Sequence, residues 1–341
     1  VTIVNALKIE WRDIKMRVLT PLQALSAISA LTLLAGCSGN GSSFAPKPNL
    51  LSLHIGGQNV SYYSCPATGP IEYVSDAGNS VIDIYAGKLA GQSPCGQIAS
   101  GLNNPQELYV KVNVHDLYVA NMGGNDILVF HRGQTTPYNS YSDPSAQLPE
   151  DVTVANDGTV VASNQANANN TENGSLSTWI GGPNGGTFVG NFPMTHRALD
   201  GISVITRKNG VIYFSDYLEN SHSGALWTVS CPAGACGTQT RVFVNFSVPG
   251  GMEFDNTGDL LAIDETRSRF CTFELPNARP VTFPIAGGDP RGMAIGGSDR
   301  HVFITELINN YAAEYSYPAG TLIGTVAGNP GATLQGIAYD P

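Results

Sequence analysis

Residues 116–133 read DLYVANMGGNDILVFHRG. An apolar run, Leu117-Tyr118-Val119-Ala120, stops at the polar Asn121. A Met-Gly-Gly-Asn turn follows, and a second apolar run extends from Ile127 to Phe130. Two such runs divided by a Gly-rich turn spell strand, tight turn, strand. The unit occurs six times. The polar residue that closes its first run recurs as Asp76, Asn121, Asn164, Asp216, Asp264 and Glu306, at spacings of 45, 43, 52, 48 and 42 residues.

A second marker keeps the same irregular period. Pro105-Gln106-Glu107-Leu108, Pro149-Glu150-Asp151-Val152, Leu199-Asp200-Gly201-Ile202, Pro249-Gly250-Gly251-Met252, Pro290-Arg291-Gly292-Met293 and Leu334-Gln335-Gly336-Ile337 each open a strand. Their third positions lie 44, 50, 50, 41 and 44 residues apart. Periods of this size with four strands each predict the blades of an all-β, six-bladed propeller. The ends fit a closed ring. The strand at 71–76 lacks a Pro-x-Gly partner before it, and the strand at 334–339 has nothing after it. The C-terminal strand is therefore expected to complete the N-terminal blade and remove an open edge. Residues 50–64 are apolar enough for one more strand, whose place the pattern leaves open.

The pieces Pro-x-Gly-apolar, apolar-Tyr-Val-small-Asp/Asn and Asn-x-Ile-x-Val-Phe/Tyr resemble those of the NHL-repeat and gluconolactonase-like (senescence marker protein type) six-bladed propellers, over residues 71–341. The resemblance implies a functional face at the channel mouth, lined by the residue before each marker Gly: Gln106, Glu150, Asp200, Gly250, Arg291 and Gln335. In gluconolactonase-like enzymes oxygen ligands near this rim hold a divalent cation such as calcium, and Glu150 and Asp200 occupy adjacent blades. The chain departs from that family where it matters for chemistry. The Glu-Gly-Pro-apolar-Trp opening is missing, the expected Asn positions fall on Gly250 and Gln106, Arg291 adds a cation to the rim, and Glu107 and Asp151 stand where the marker has Gly.

Two carboxylates, one guanidinium and two amides around one mouth suit a small polar ligand or a protein partner. The reading is a binding propeller with no catalysis of its own and no cofactor. Its alternative is a metal-dependent lactonase or hydrolase of the gluconolactonase type. Loops 165–174 (QANANNTENG) and 217–224 (YLENSHSG) are expected to wall the mouth on the side of Glu150 and Asp200. The closing residues Asp76 to Glu306 are read as acceptors for N–H groups of the turn that follows them. The six His fall into no HExxH or His-x-His pattern, and no Gly-x-Ser-x-Gly or phosphate loop is present.

Charged residues make up 13% of the chain, and the net charge is −10 without any Lys/Arg cluster, which argues against nucleic acid as partner. Residues 16–37 read MRVLTPLQALSAISALTLLAGC. The apolar part is too short for a membrane span but fits a secretory signal, and Leu34-Ala35-Gly36-Cys37 resembles a bacterial lipobox with Cys37 as the acylated residue. Residues 1–15 then read as upstream of a start at Met16, residues 38–49 as a flexible Gly/Ser/Pro tether, and 50–341 as the propeller. The expected address is the cell envelope, outside the cytoplasm and lipid-anchored to a bacterial membrane. Export permits disulfides. Cys231 and Cys236 flank a Pro/Gly turn that makes a local bridge easy, metal binding being the rival reading there. Cys65 with Cys95 would staple the first blade, and Cys271 reads as a buried free thiol.

Overall fold

The computed structural model describes residues 60–341 apart from 146, 166–173, 195–202, 208, 219–222, 247, 266–267, 274–280 and 286. The readings placed on 1–59, Cys37 among them, lie outside the described residues. Six antiparallel sheets follow one another along the chain, and each is one blade of a propeller. In the second blade the order from the inside outwards is Pro105–Lys111, Asp116–Asn121, Asp126–His131 and Asn139–Ser142. The inner strands of blades three to six are Leu148–Val154, Val204–Thr206, Pro249–Phe254 and Pro290–Gly296. Each inner strand touches those of the blades on either side, so the ring is closed.

The first blade takes its inner strand, Leu334–Asp340, from the C-terminus and pairs it with Ile71–Asp76. Val81–Ala86 and Gly96–Ile98 follow, and the two-residue strand Tyr62–Tyr63 adds a fifth, outermost member. A disulfide joins Cys65 to Cys95 beside that outer pair. Blade two fastens the closing strand. The fully buried Asp340 carboxylate receives His115 Nδ1 at 2.6 Å and Arg132 Nη1 at 3.1 Å, and Arg132 also donates to the Gly69 carbonyl. Apolar side chains fill the wedges between blades. Between blades one and two, Ile71, Tyr73, Ile82 and Ile84 meet Leu108, Val110, Leu117 and Val119.

The Pro-x-Gly marker is a β-bulge. Pro105 lies opposite Asn121, yet Leu108 lies opposite Val119, so the inner strand carries one extra residue there. The same shift separates Pro249 from Met252 and Pro290 from Met293. The bulge turns a Gly N–H towards a hydroxyl on the neighbouring strand. Gly336 N–H donates to Ser75 Oγ (2.6 Å), which donates to the Gln106 carbonyl of the next blade (2.7 Å). Gly292 N–H donates to Thr305 Oγ1 (2.8 Å), which donates to the Gln335 carbonyl. The small residue of the repeat is thus a clasp between blades. A Cβ on Gly336 would stand 2.5 Å from the Gln106 carbonyl oxygen, which is why the marker needs glycine where inner strands crowd together.

The closing residues act in several ways. Asp76 and Glu306 accept from the turn that follows, through Asn79 N–H (3.0 Å) and Asn309 N–H (2.6 Å). Both also hold the loop leading into the inner strand, through Thr333 N–H (3.0 Å) and Asp289 N–H (2.6 Å). Asn121 holds only that loop, through Asn103 N–H (2.6 Å), among its bonds to backbone donors. Asp264 also pairs with Arg269 at 3.0 Å, and Asn164 donates to Ser177 Oγ at 2.7 Å. The reading as a turn acceptor is thus corrected at Asn121, while the turns after Asn164, Asp216 and Asp264 include residues outside the described ones. Cys231 is bonded to Cys236, so the pair is not a metal ligand set here, and Cys271 is buried outside any disulfide.

Candidate functional site

Because the bulge follows each Pro, the next residue stands at the N-terminal end of an inner strand, facing the channel. Gln106, Glu150, Gly250, Arg291 and Gln335 line one narrow cleft of about 20 Å³, together with Glu107, Ser203, Gly251 and Glu265. Asp200 and most of the two long loops lie outside the described residues.

Arg291 does not stand alone on the rim. Its guanidinium reaches Glu265 at 3.2 Å and Asp289 at 3.1 Å. The Glu265 carboxylate lies over Gly250, where a Cβ would meet its Oε1 at 3.1 Å. The missing side chain of the fifth blade's marker is therefore replaced by a carboxylate from the next strand of the same blade. Glu150 accepts a hydrogen bond from Gln165 Nε2 at 2.5 Å, and Gln106 donates to the Asn104 side-chain oxygen at 2.9 Å.

Glu107 occupies the marker's glycine position in blade two, and its side chain reaches past blade one to blade six. Its Oε2 stands 2.9 Å from where a Cβ of Gly292, in blade six, would be. Burial, then the charges of Asp151, Glu150 and Glu265, push the Glu107 carboxyl well above the usual carboxylate range, and Arg291 works against them. Asp151, the other replacement, binds blade three to blade four. It accepts from Ser203 Oγ (2.7 Å) and Val204 N–H (2.8 Å). Burial raises its carboxyl as well, although those bonds oppose the shift. Below them a further space of about 20 Å³ is lined by Glu107, Tyr109, Asp151 and Glu253. Burial, joined by Asp151 and Asp299, pushes Glu253 up to about 7.

Sequence reasoning placed the rim residues on one face and did not find Glu265, Asp289 or Glu253. A signal existed for Glu253: a carboxylate inside an otherwise apolar inner strand, in a chain with few charges. The arrangement offers carboxylate acceptors and one neutralised guanidinium. Among the described residues, which leave out Asp200, no three of His, Cys, Asp and Glu are grouped so that they could hold a metal ion.

No protein-family model matches the chain, and no curated protein matches it. Solved structures do. A chain from the crystal structure of a nidogen/laminin complex aligns with a TM-score of 0.60 at 15% identity, over 80% of this chain and 99% of that one. A protein of unknown function from Bacteroides caccae aligns at 0.59 and 10% identity, and a functionally unknown protein from Desulfotomaculum acetoxidans at 0.56 and 12%, with the same coverages. At such identities the likeness is one of fold.

Proposed function

We propose that the chain is a binding propeller whose upper mouth, at the N-terminal ends of the inner strands, takes a small polar molecule rich in hydroxyl or amino donors, without catalysis of its own. The observation that carries this is the composition of the cavity. Gln106, Glu150 and Gln335 meet there with Glu107 and Glu265, while Arg291 is already engaged by Glu265 and Asp289. Acceptors exceed available donors, so the complementary ligand supplies donors. Glu150→Ala and Arg291→Ala, each checked for folding by circular dichroism, are screened with the wild type on an array of polyols and saccharides. Binding by the wild type that both variants lose is the expected result. Equal binding by all three proteins would move the site elsewhere. Elemental analysis with a lactone-hydrolysis assay addresses the alternative: a co-purifying divalent cation and hydrolysis lost together in Glu150→Ala and Asp200→Ala would make it a metal-dependent hydrolase.

The proposal includes export and a lipid anchor on Cys37. Two disulfides support an oxidising compartment, and the Leu34-Ala35-Gly36-Cys37 motif supports acylation. Cell fractionation of a Cys37→Ala variant tests this. The variant should leave the membrane fraction, and unchanged partitioning would refute the anchor.

A further inference from the structure

The other end of the channel is built differently. The C-terminal halves of the inner strands of blades one, two, five and six flare into a funnel of about 370 Å³. Polar and apolar groups share its wall about equally, and Leu108, Ile295, Tyr109, Phe254 and Tyr339 are among the apolar and aromatic residues that line it. Two carboxylates, Glu253 and Asp299, face the same space, and no Lys, Arg or His is among its described lining residues.

Glu253 is the polar group that decides the chemistry. Its Oε1 accepts the N–H of Phe254 at 3.2 Å, and the charges that act on it, Asp151 and Asp299, are both negative. The Tyr109 phenol feels its charge, so ring and carboxylate share one part of the wall. Asp299 is turned to the backbone, accepting Asn256 N–H at 2.6 Å. The Arg207 guanidinium lies over the Phe254 ring at 5.8 Å and donates to the Gly258 carbonyl at 3.4 Å.

We propose that this lower funnel binds a small organic ammonium ion with an apolar or aromatic body, its charged head against Glu253 and its body against the Tyr109, Phe254 and Tyr339 rings. Aromatic faces attract an ammonium group through their quadrupole, and a desolvated carboxylate with no cation at hand completes the complementarity. A hard metal ion is a poor fit, because it wants several oxygen ligands and the funnel offers two carboxylates, one of them turned to the backbone. A neutral apolar molecule would leave the carboxylate desolvated and unpaired. The site is on the opposite mouth from the one proposed above and stands independently of it.

Tyramine and its neutral counterpart 4-hydroxyphenethyl alcohol, which differ only in ammonium against hydroxyl, test the proposal. Binding of each to the full chain is followed by isothermal titration calorimetry and by saturation-transfer NMR. Tyramine should bind at least about 10-fold more tightly than the alcohol. Glu253→Gln, which keeps the shape and removes the charge, should bring tyramine down to the level of the alcohol. Tyr339→Ala should weaken both compounds. Circular dichroism melts establish that each variant is folded, and Asp299→Asn provides a second charge-removing variant if Glu253→Gln is not. Equal affinity for the two compounds, no saturation transfer to tyramine, or tyramine binding untouched in the charge-removing variant would each overturn the proposal.

Discussion

The two mouths of the channel are walled by the same ring of inner strands, yet they treat charge in opposite ways. At the upper mouth the carboxylates of Glu265 and Asp289 share one guanidinium, Arg291, and the bulges supply polar side chains from several blades. At the lower mouth Glu253 sits among rings and aliphatic groups with no cation in the described lining. The difference follows from strand geometry. A bulge at the start of each inner strand breaks the alternation of the pleat and turns extra polar groups to the axis. Past the bulge the strand is regular, and consecutive residues from four blades line the wider lower end. A shared scaffold therefore offers one mouth whose single guanidinium is engaged by carboxylates and one mixed polar and aromatic mouth with carboxylates and no cation in its described lining.

The largest effect should come from removing what both mouths share. Truncation after Thr333 deletes the closing strand and the Asp340 contacts to His115 and Arg132. It should abolish the cooperative melt and leave aggregating protein, as read by size-exclusion chromatography and circular dichroism. A soluble monomer with an unchanged melting temperature would show that the comparison rests on the wrong ring closure.

Asp151→Ala chiefly probes the clasp between blades three and four. It strips acceptors from Ser203 Oγ and Val204 N–H between blades three and four. A loss of about 3 kcal/mol is expected from stranding two buried donors, measured by denaturant titration. Tyramine binding at the lower funnel should persist in whatever fraction remains folded.

Next is pH. Burial raises the carboxyl of Glu72 to about 8, helped by the charge of Glu314, that of Glu253 to about 7 and that of Asp83 to about 6. Between the ordinary carboxylate range and these values the folded chain holds protons that the unfolded chain has released. Stability therefore falls as pH rises, with the loss spread from about pH 5 to pH 8. The melting temperature should be higher at pH 5 than at pH 8. Glu72→Gln should flatten the largest part of the slope and Glu253→Gln a smaller part. A melting temperature that rises over this window would contradict the assigned protonation.

Arg291→Ala should be the mildest. The guanidinium is partly exposed, so its pairs are screened, and a stability loss of about 1 kcal/mol is expected. Its specific signature is local: upper-mouth ligand binding is lost and the tyramine affinity of the lower funnel is unchanged. Loss at both mouths would mean that the two are coupled along the channel.

How much of this was readable beforehand differs between fold and site. The paired markers gave six blades and the borrowed C-terminal strand, because strand alternation and turn chemistry are local and repeat along the chain. The rim residues were readable for the same reason, since Gln106, Glu150, Arg291 and Gln335 share one repeat position. The outermost strand at Tyr62–Tyr63 was not, because two residues carry no period. Nor was Glu265 as a partner of Arg291: it follows a closing residue, and nothing in its own stretch points it towards Gly250.

The sequence alone determined the architecture: which residues form strands, how many blades they make, where glycine is obligatory and which strand closes the ring. Only the tertiary structure decided what meets on the axis. It laid Glu107 across to Gly292, set Asp151 against Ser203, and left Glu253 facing rings from other blades. The physical reason is distance along the chain. Repeat signals depend on neighbours within one blade, whereas groups that converge in the channel come from different blades, and their charges and burial exist only once the ring has closed.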